Sequence, residues 1–411
     1  MPVFDCFPIS DDYTPWEASV AVLNDGSIFL TFSSREGWAM LGTVSRDLGR
    51  TWETPYALRV AGGKRIEGCR STLVRLASGD LGLIYNTPWK HFGRDGALRF
   101  HKSADEGKTW SEGSWIDPRF SIVRNGTASV TEDGRILAPA YHWITPHMRD
   151  AEQDGVALSY AYMYYSDDDG DTWERSVNEL FVRENEVAYE FVDNKGFHML
   201  PGSEVGIPQS HHVDKFGEPA AVELNDGRIL LYGRTRRGRI YQSISGDAGE
   251  SWSVPKPTDI NSSDSPASLM RIPATGDLLL IWNQATAEEM LSGMHRHRLS
   301  TAISKDDGRS WTHHRNLESL DDETCIETPP DQIYAMVEWQ RKAYDRPEDT
   351  ERYHRIPGYM RAAYPDAAFT DTDVVISYDC GRLILPEGPP THIFQIKFLT
   401  APISWLYGKE S

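Results

Sequence analysis

One turn motif, S-x-D-x-G-x-[ST]-W, recurs five times along the 411 residues, and no feature of the chain constrains its fold more. The copies begin at Ser45, Ser103, Ser166, Ser245 and Ser304 and close on Trp52, Trp110, Trp173, Trp252 and Trp311. Asp and Gly at fixed offsets suit a tight turn, because the Asp side chain accepts backbone N–H bonds and Gly takes positive φ. The closing Trp supplies a large apolar plate. The motif therefore reads as structural.

A second signal precedes each box: LNDGSIFLTF at 23, LASGDLGLIY at 76, TEDGRILAPAY at 131, LNDGRILLYG at 224 and IPATGDLLLIW at 272. A sixth, FTDTDVVISY at 369, has no box after it. Each is a turn followed by a short apolar or β-branched run, the pattern of a hairpin feeding a buried strand. Six hairpins predict six blades, and the Trp-to-Trp spacings of 58, 63, 79 and 59 residues leave room for four short strands apiece, with loop insertions in the longer units. The expected fold class is all-β, a six-bladed β-propeller in one domain over residues 1–411. THIFQIKFLT at 391–400 belongs to the last blade, and the N-terminal MPVFDCF is the candidate closing strand that removes an exposed edge. Residues 320–362, charged and aromatic, are expected as an insertion before that blade, either a lid or a solvated decoration.

Composition narrows the partners. A formal charge of −19 argues against nucleic acid or an anionic membrane surface. The N-terminus lacks a basic and then apolar leader, and no apolar window reaches about 18 residues, so a cytoplasmic location is expected. Cys6, Cys69, Cys325 and Cys380 are scattered without a C-x-x-C pair and read as reduced thiols. No Asp-rich calcium loop stands out, so neither metal nor cofactor is expected. Oligomeric state is not legible.

Counting back from each hairpin turn places Glu17, Arg70, Asn125, Glu218, Ala267 and Tyr364 at equivalent points of the six leading strands. In a propeller these strands line the central channel, so five polar or ionisable side chains would converge. Seven residues past each turn glycine runs a second ring, Ser33, Asn86, Tyr141, Arg234 and Asn283, with His142 adjacent. A buried Arg at such a strand end needs an anionic partner, from the protein or from a ligand.

The boxes resemble the Asp boxes, or BNR repeats, of sialidases, over residues 16–311. Gly217-Glu218-Pro219 through Arg234 is similar to the sialidase segment in which a Glu precedes a substrate-binding Arg by 16 residues. His295-Arg296-His-Arg298 resembles the segment whose Arg stands eight residues before the fifth box; that selects Arg296, with Arg298 as the alternative. Tyr364-Pro-Asp resembles the blade-six segment carrying the sialidase nucleophile. The resemblance implies Tyr364 as nucleophile, Glu218 as its base partner and Arg234 and Arg296 as clamps on an acidic group; a phenol with pKa near 10 needs such help at neutral pH.

The resemblance lapses in blade one. Where sialidases carry the first Arg of the triad, the chain reads Tyr13-Thr-Pro-Trp16-Glu17-Ala, and where they place an acid Asp it reads Phe32-Ser33-Ser34-Arg35-Glu36. Glu36 is the possible substitute acid, and Arg70 either replaces the missing cation or pairs with Glu17 or Glu67. Three functions are expected in turn: an exo-glycoside hydrolase on a glycan with a sialic-acid-like or uronate sugar; a lyase eliminating from a uronate through Tyr and His; or a non-catalytic glycan-binding propeller. For the second, His212 in Gln209-Ser-His211-His212-Val-Asp214, with His101, His142 and His295, supplies the imidazoles. The substrate-binding set is thus Arg70, Arg234, Arg296, Glu17, His212 and His142.

Overall fold

In the computed structural model the described residues are 3–6, 15–34, 38–88, 96–119, 121–143, 159–183, 189–191, 197–199, 213–235, 237–286, 289–290, 294, 296–319, 324–328, 360–384 and 391–408. Antiparallel sheets built on the repeated hairpins form the six blades of a β-propeller. Blade one runs Pro15–Val22, Ile28–Ser34, Met40–Ser45 and Tyr56–Ala57 from the axis outward. Blade two runs Cys69–Arg75, Leu81–Asn86, Leu98–Ser103 and Ser114–Asp117. Blade four starts with Gly217–Glu223 and Ile229–Arg234, and blade five with Ser268–Arg271 and Leu278–Asn283.

Blade three departs from the pattern. Its inner edge is split into Ile122–Val123 and Ser129–Val130, both paired to Ile136–Trp143. The long spacing after its box is filled by two small two-stranded pieces, Val182–Arg183 with Val213–Asp214 and Tyr189–Phe191 with Phe197–Met199. Blade six is made of Met360–Phe369, Asp373–Ile384 and Thr391–Pro402, and Val3–Cys6 adds its outermost strand, with Val3 opposite Thr400. The first strand of the chain thereby closes the last blade. Most of the 320–362 segment lies outside the described residues.

Among the described residues the core forms six clusters, each between consecutive blades. Phe29 and Leu58 of blade one meet Leu83 and Trp110 of blade two, and Leu30 and Phe32 meet Val375 and Phe398 of blade six across the closure. Burying such a side chain contributes roughly 1.5–3 kcal/mol, so the ring coheres blade by blade.

The boxes join the third strand of a blade to the fourth. In the first, Ser45 Oγ donates to Asp47 Oδ1 at 2.8 Å and accepts from the Gly49 N–H at 2.8 Å, while the Thr51 N–H donates to Asp47 Oδ1 at 2.8 Å. The same bonds recur around Asp105, Asp168, Asp247 and Asp306. Each turn has two successive residues at positive φ, for example Asp169 and Gly170. The boxes also lean on the preceding blade: a Cβ at Gly170 would collide with the Phe100 ring, and one at Gly107 would come 2.7 Å from Phe29. The hairpin turns share this face, since Asn24 Nδ2 donates to Glu106 of the second box at 2.9 Å. Strand-one starts and strand-two ends therefore meet on the opposite face.

Among the described residues Cys69, Cys325 and Cys380 are not joined in disulfides, and no helix is long and apolar enough to cross a membrane.

Candidate active site

Four of the six equivalent channel positions carry the same distortion. Glu17, Arg70, Glu218 and Tyr364 are non-glycine residues at φ 49, 58, 45 and 56°, and each sits at a register shift between the first and second strands of its blade. A bulge turns a side chain out of the strand's alternation. The left-handed backbone costs on the order of 1–3 kcal/mol at each residue and persists only where surrounding structure imposes it. Asn125, in blade three, instead donates Nδ2 to the carbonyl of Ala18 at 2.7 Å and of Tyr364 at 3.2 Å, tying three blades together beneath the others.

The bulged side chains meet. Arg70 Nε lies 3.1 Å from Glu17 Oε2, and Arg70 Nη1 donates to the Tyr141 hydroxyl at 2.6 Å. Tyr141 donates to Glu218 Oε1 at 3.4 Å, and the Tyr364 hydroxyl lies 3.5 Å from the same oxygen. Glu218 Oε2 accepts from Arg234. Arg234 Nε then donates to Asp264 Oδ1 at 2.6 Å, which also accepts from Lys215 Nζ at 2.9 Å. A chain of charges and phenols so crosses the channel mouth from blade one to the entry of blade five, with Tyr364 of blade six upon it.

Arg296 completes the wall. Its guanidinium stands 5.2 Å from the centre of the Tyr364 ring, with that of Arg361 at 5.9 Å, and its Nη2 donates to the Asp264 carbonyl at 3.4 Å. Cations over a phenol ring are held by its quadrupole. Arg298 faces away, donating both Nη groups to Glu289 at 3.0 Å. Of the two arginines, the structure brings Arg296 to Tyr364.

Electrostatics follow the geometry. Burial alone would raise the Glu218 pKa, but Arg234, then Arg70 and Lys215, outweigh it and bring it down to about 2. Burial would lower Arg70, yet Glu17, followed by Tyr141, Tyr364 and Glu218, holds it well above the usual value. Lys215 is brought down to about 8, by burial first and by the Arg234 charge second. Burial also pushes the Tyr141 phenol up. Glu17 and Glu218 are each 2 % exposed, whereas Tyr364 is partly exposed: the carboxylates form the floor and the phenol rises from it.

The remaining sequence-derived candidates lie elsewhere. His142 follows Tyr141 in the same strand, so it points to the other face, where its ring is 5.3 Å from that of Tyr160. His101 is on the third strand of blade two and binds the Ser111 carbonyl at 2.7 Å. His212, His295 and Glu36 lie outside the described residues. Asn86 and Asn283 of the second ring bind backbone carbonyls of neighbouring segments.

Sequence reasoning missed Lys215, Asp264 and the tie through Tyr141. Asp264 lies in a polar run, Asn261-Ser-Ser-Asp264-Ser-Pro266, just before the leading strand of blade five; that run, in a place where other blades present charge, is the available signal. Arg124 was missed too. It is 1 % exposed and spans the axis, donating to the Ala267 carbonyl at 2.5 Å, Ser268 Oγ at 2.7 Å and the Pro365 carbonyl. With Asp366, which accepts from Ser19 Oγ at 2.8 Å, it plugs the channel. A cavity of about 580 Å³ opens on the far side of the plug, lined by Leu73, Val130 and Leu269 among others. It is remote from the phenol and carboxylates.

Fold and site together define a six-bladed propeller of the sialidase-like class. A profile of the BNR repeat-like domain matches residues 70–376, and the chain belongs to that family. A sialidase of Paraclostridium sordellii is 29% identical over 161 residues, an alignment spanning only 37% of each chain. Among solved structures, a Hadza microbial sialidase superposes with TM-score 0.59 at 16% identity, covering 96% of this chain and 67% of that one. A protein of unknown function from Dyadobacter fermentans gives 0.57 at 15%, covering 96% and 97%. Likeness at these identities is likeness of fold.

Proposed function

We propose that the protein is an exo-acting glycoside hydrolase whose reacting pair is Tyr364 and Glu218, acting on a glycan that ends in an acidic sugar. The observation that carries this reading is the hydroxyl of the partly exposed Tyr364 3.5 Å from the buried Glu218 carboxylate, with two arginines beside the phenol ring. With its pKa near 2, Glu218 is a weak base toward a resting phenol. Proton transfer becomes favourable only as the Tyr364 oxygen bonds to the anomeric carbon, since an oxygen so bonded is far more acidic. As that bond forms, the glycosidic C–O bond breaks, the phenolic proton passes to Glu218, and the departing oxygen takes a proton from solvent water. Water then attacks the same carbon and gives up a proton to solvent, while the Tyr364 oxygen leaves with the proton that Glu218 held, which restores both side chains and frees the sugar.

Before the proton reaches it, the Glu218 carboxylate also places negative charge beside the reacting centre, suited to the oxocarbenium character of the transition state. Arg296 and Arg361 support an acidic sugar by offering cationic charge beside the phenol. The histidine-based elimination has less support, because His142 faces away from Tyr364.

The test is kinetic. On a panel of aryl glycosides and uronides, Glu218→Gln and Tyr364→Phe should each lower kcat/KM by about 100-fold or more, Tyr364→Phe with the wild-type melting profile and Glu218→Gln as a folded protein of lowered melting temperature, because it removes one member of a buried ion pair. Undiminished turnover by either folded variant would sink the assignment.

A further inference from the structure

The floor of the site holds three cations with protein carboxylates already upon them: Arg70 with Glu17, Arg234 with Glu218 and Asp264, and Lys215 with Asp264. Glu17 is the unexpected member, standing in the blade-one segment where the sialidase resemblance calls for an arginine. Its place is not incidental. The Glu17 N–H donates to Asp379 Oδ1 at 2.9 Å, and Asp379 lies opposite Ala363, the residue before Tyr364. Glu17 is thus pinned to blade six beside the phenol, with its carboxylate turned to Arg70.

We propose that Glu17 sets the class of sugar, its carboxylate occupying on Arg70 the place that a carboxylate on the anomeric carbon would take, so that the site accepts aldosides, uronides included, and rejects ulosonic acids. The inference rests on the reading of Tyr364 and Glu218 as the reacting pair. A sugar whose anomeric carbon is within reach of the Tyr364 oxygen holds its aglycone on the side opposite that oxygen and turns its other anomeric substituent toward this floor. Hydrogen there costs nothing. A carboxylate there meets Glu17 and Glu218, two buried negative charges, and binds Arg70 only by displacing Glu17 from a buried ion pair. A uronate carries its carboxylate on C5, across the ring oxygen from the anomeric carbon and off this floor, and Arg296 and Arg361 beside the phenol offer the cations for it. Specificity of this kind comes from repulsion as much as from attraction.

Two measurements on the full chain test it. The first compares p-nitrophenyl aldosides and uronides with the corresponding sialoside; the second is titration calorimetry with 2,3-didehydro sialic acid, wild type against Glu17→Gln. The expected result is turnover of an aldoside or uronide with the sialoside at least about 100-fold poorer in kcat/KM. Wild type should give no binding heat with the didehydro sugar, and Glu17→Gln should gain affinity for it by about tenfold or more as Arg70 loses its internal partner. A sialoside cleaved as well as the best aldoside, or a didehydro sugar bound equally by both proteins, overturns the proposal. If no glycoside at all is cleaved, the hydrolase reading falls while the calorimetric comparison still decides the role of Glu17. Should Glu17→Gln fail to fold, the wild type alone decides, since its binding of the didehydro sugar contradicts the proposal and its indifference supports it.

Discussion

Arg234 Nε donates to Asp264 Oδ1 at 2.6 Å, joining the second strand of blade four to the segment that enters blade five. The same guanidinium reaches Glu218 with Nη1, so Asp264 fixes the arginine that holds the proposed base partner. Asp264→Asn leaves Arg234 and Lys215 buried together without the carboxylate between them. Removing one member of a buried ionic set costs about 3–5 kcal/mol. A lower denaturation midpoint, with a loss of kcat larger than any change in KM, is the expected outcome; an unchanged midpoint would show that the pair is not held as described.

Lys215 should set an alkaline limit. Its pKa of about 8 means that it loses its charge near that pH in the folded protein, withdrawing one positive charge from Asp264, Arg234 and Glu218. Activity should fall with a limb near pH 8, and Lys215→Met should remove that limb. Stability runs the other way. Between pH 8 and the ordinary lysine value of 10.5 the unfolded chain binds the proton that the folded one has released, so this group's contribution is present above 10.5 and is lost as pH falls through 8. Glu218, ionised down to about pH 2, supplies no acid limb in the usual assay range.

Gly170→Ala tests the boxes as inter-blade fasteners. The position has φ +88°, and its Cβ would strike the Phe100 ring of blade two. Backbone strain and overpacking together cost about 2–4 kcal/mol. The melting temperature should drop while KM on any active substrate is unchanged, because the box lies on the face opposite the site.

Removing residues 1–6 deletes the strand Val3–Cys6 and bares the edge of Thr391–Pro402. The edge so bared, Lys397–Thr400, invites association between chains. Light scattering should show concentration-dependent aggregation absent from the full chain; a monodisperse truncated protein would mean that the closure carries little stability.

The fold was legible because its period is written in punctuation. Asp, Gly and Trp at fixed offsets, with a hairpin turn ahead of each, fix which strand each segment becomes. The register of those turns also located Glu17, Arg70, Glu218 and Tyr364, since equivalent positions in a propeller share one height on the channel. Asp264 and Lys215 escaped because they lie outside the repeated hairpins. Tyr141 was visible in the second ring, but its hydroxyl bridges residues 71 and 77 positions away, and no local pattern encodes that distance. Arg296 and Arg298, two apart in sequence, were separated only by the partner that Glu289 offers to the latter. The bulges that bend four leading strands leave no residue signature either, since Glu, Arg and Tyr do not favour positive φ.

The central claim is that the Tyr364 oxygen bonds to the sugar. Using the aryl glycoside that the protein turns over best, the matching 2-deoxy-2-fluoro glycosyl fluoride slows hydrolysis of a covalent intermediate enough for peptide mass spectrometry. The peptide containing Tyr364 should gain one fluorosugar, and Tyr364→Phe should abolish the gain. Label on another residue, or time-dependent inactivation with Tyr364 unmodified, would contradict the account.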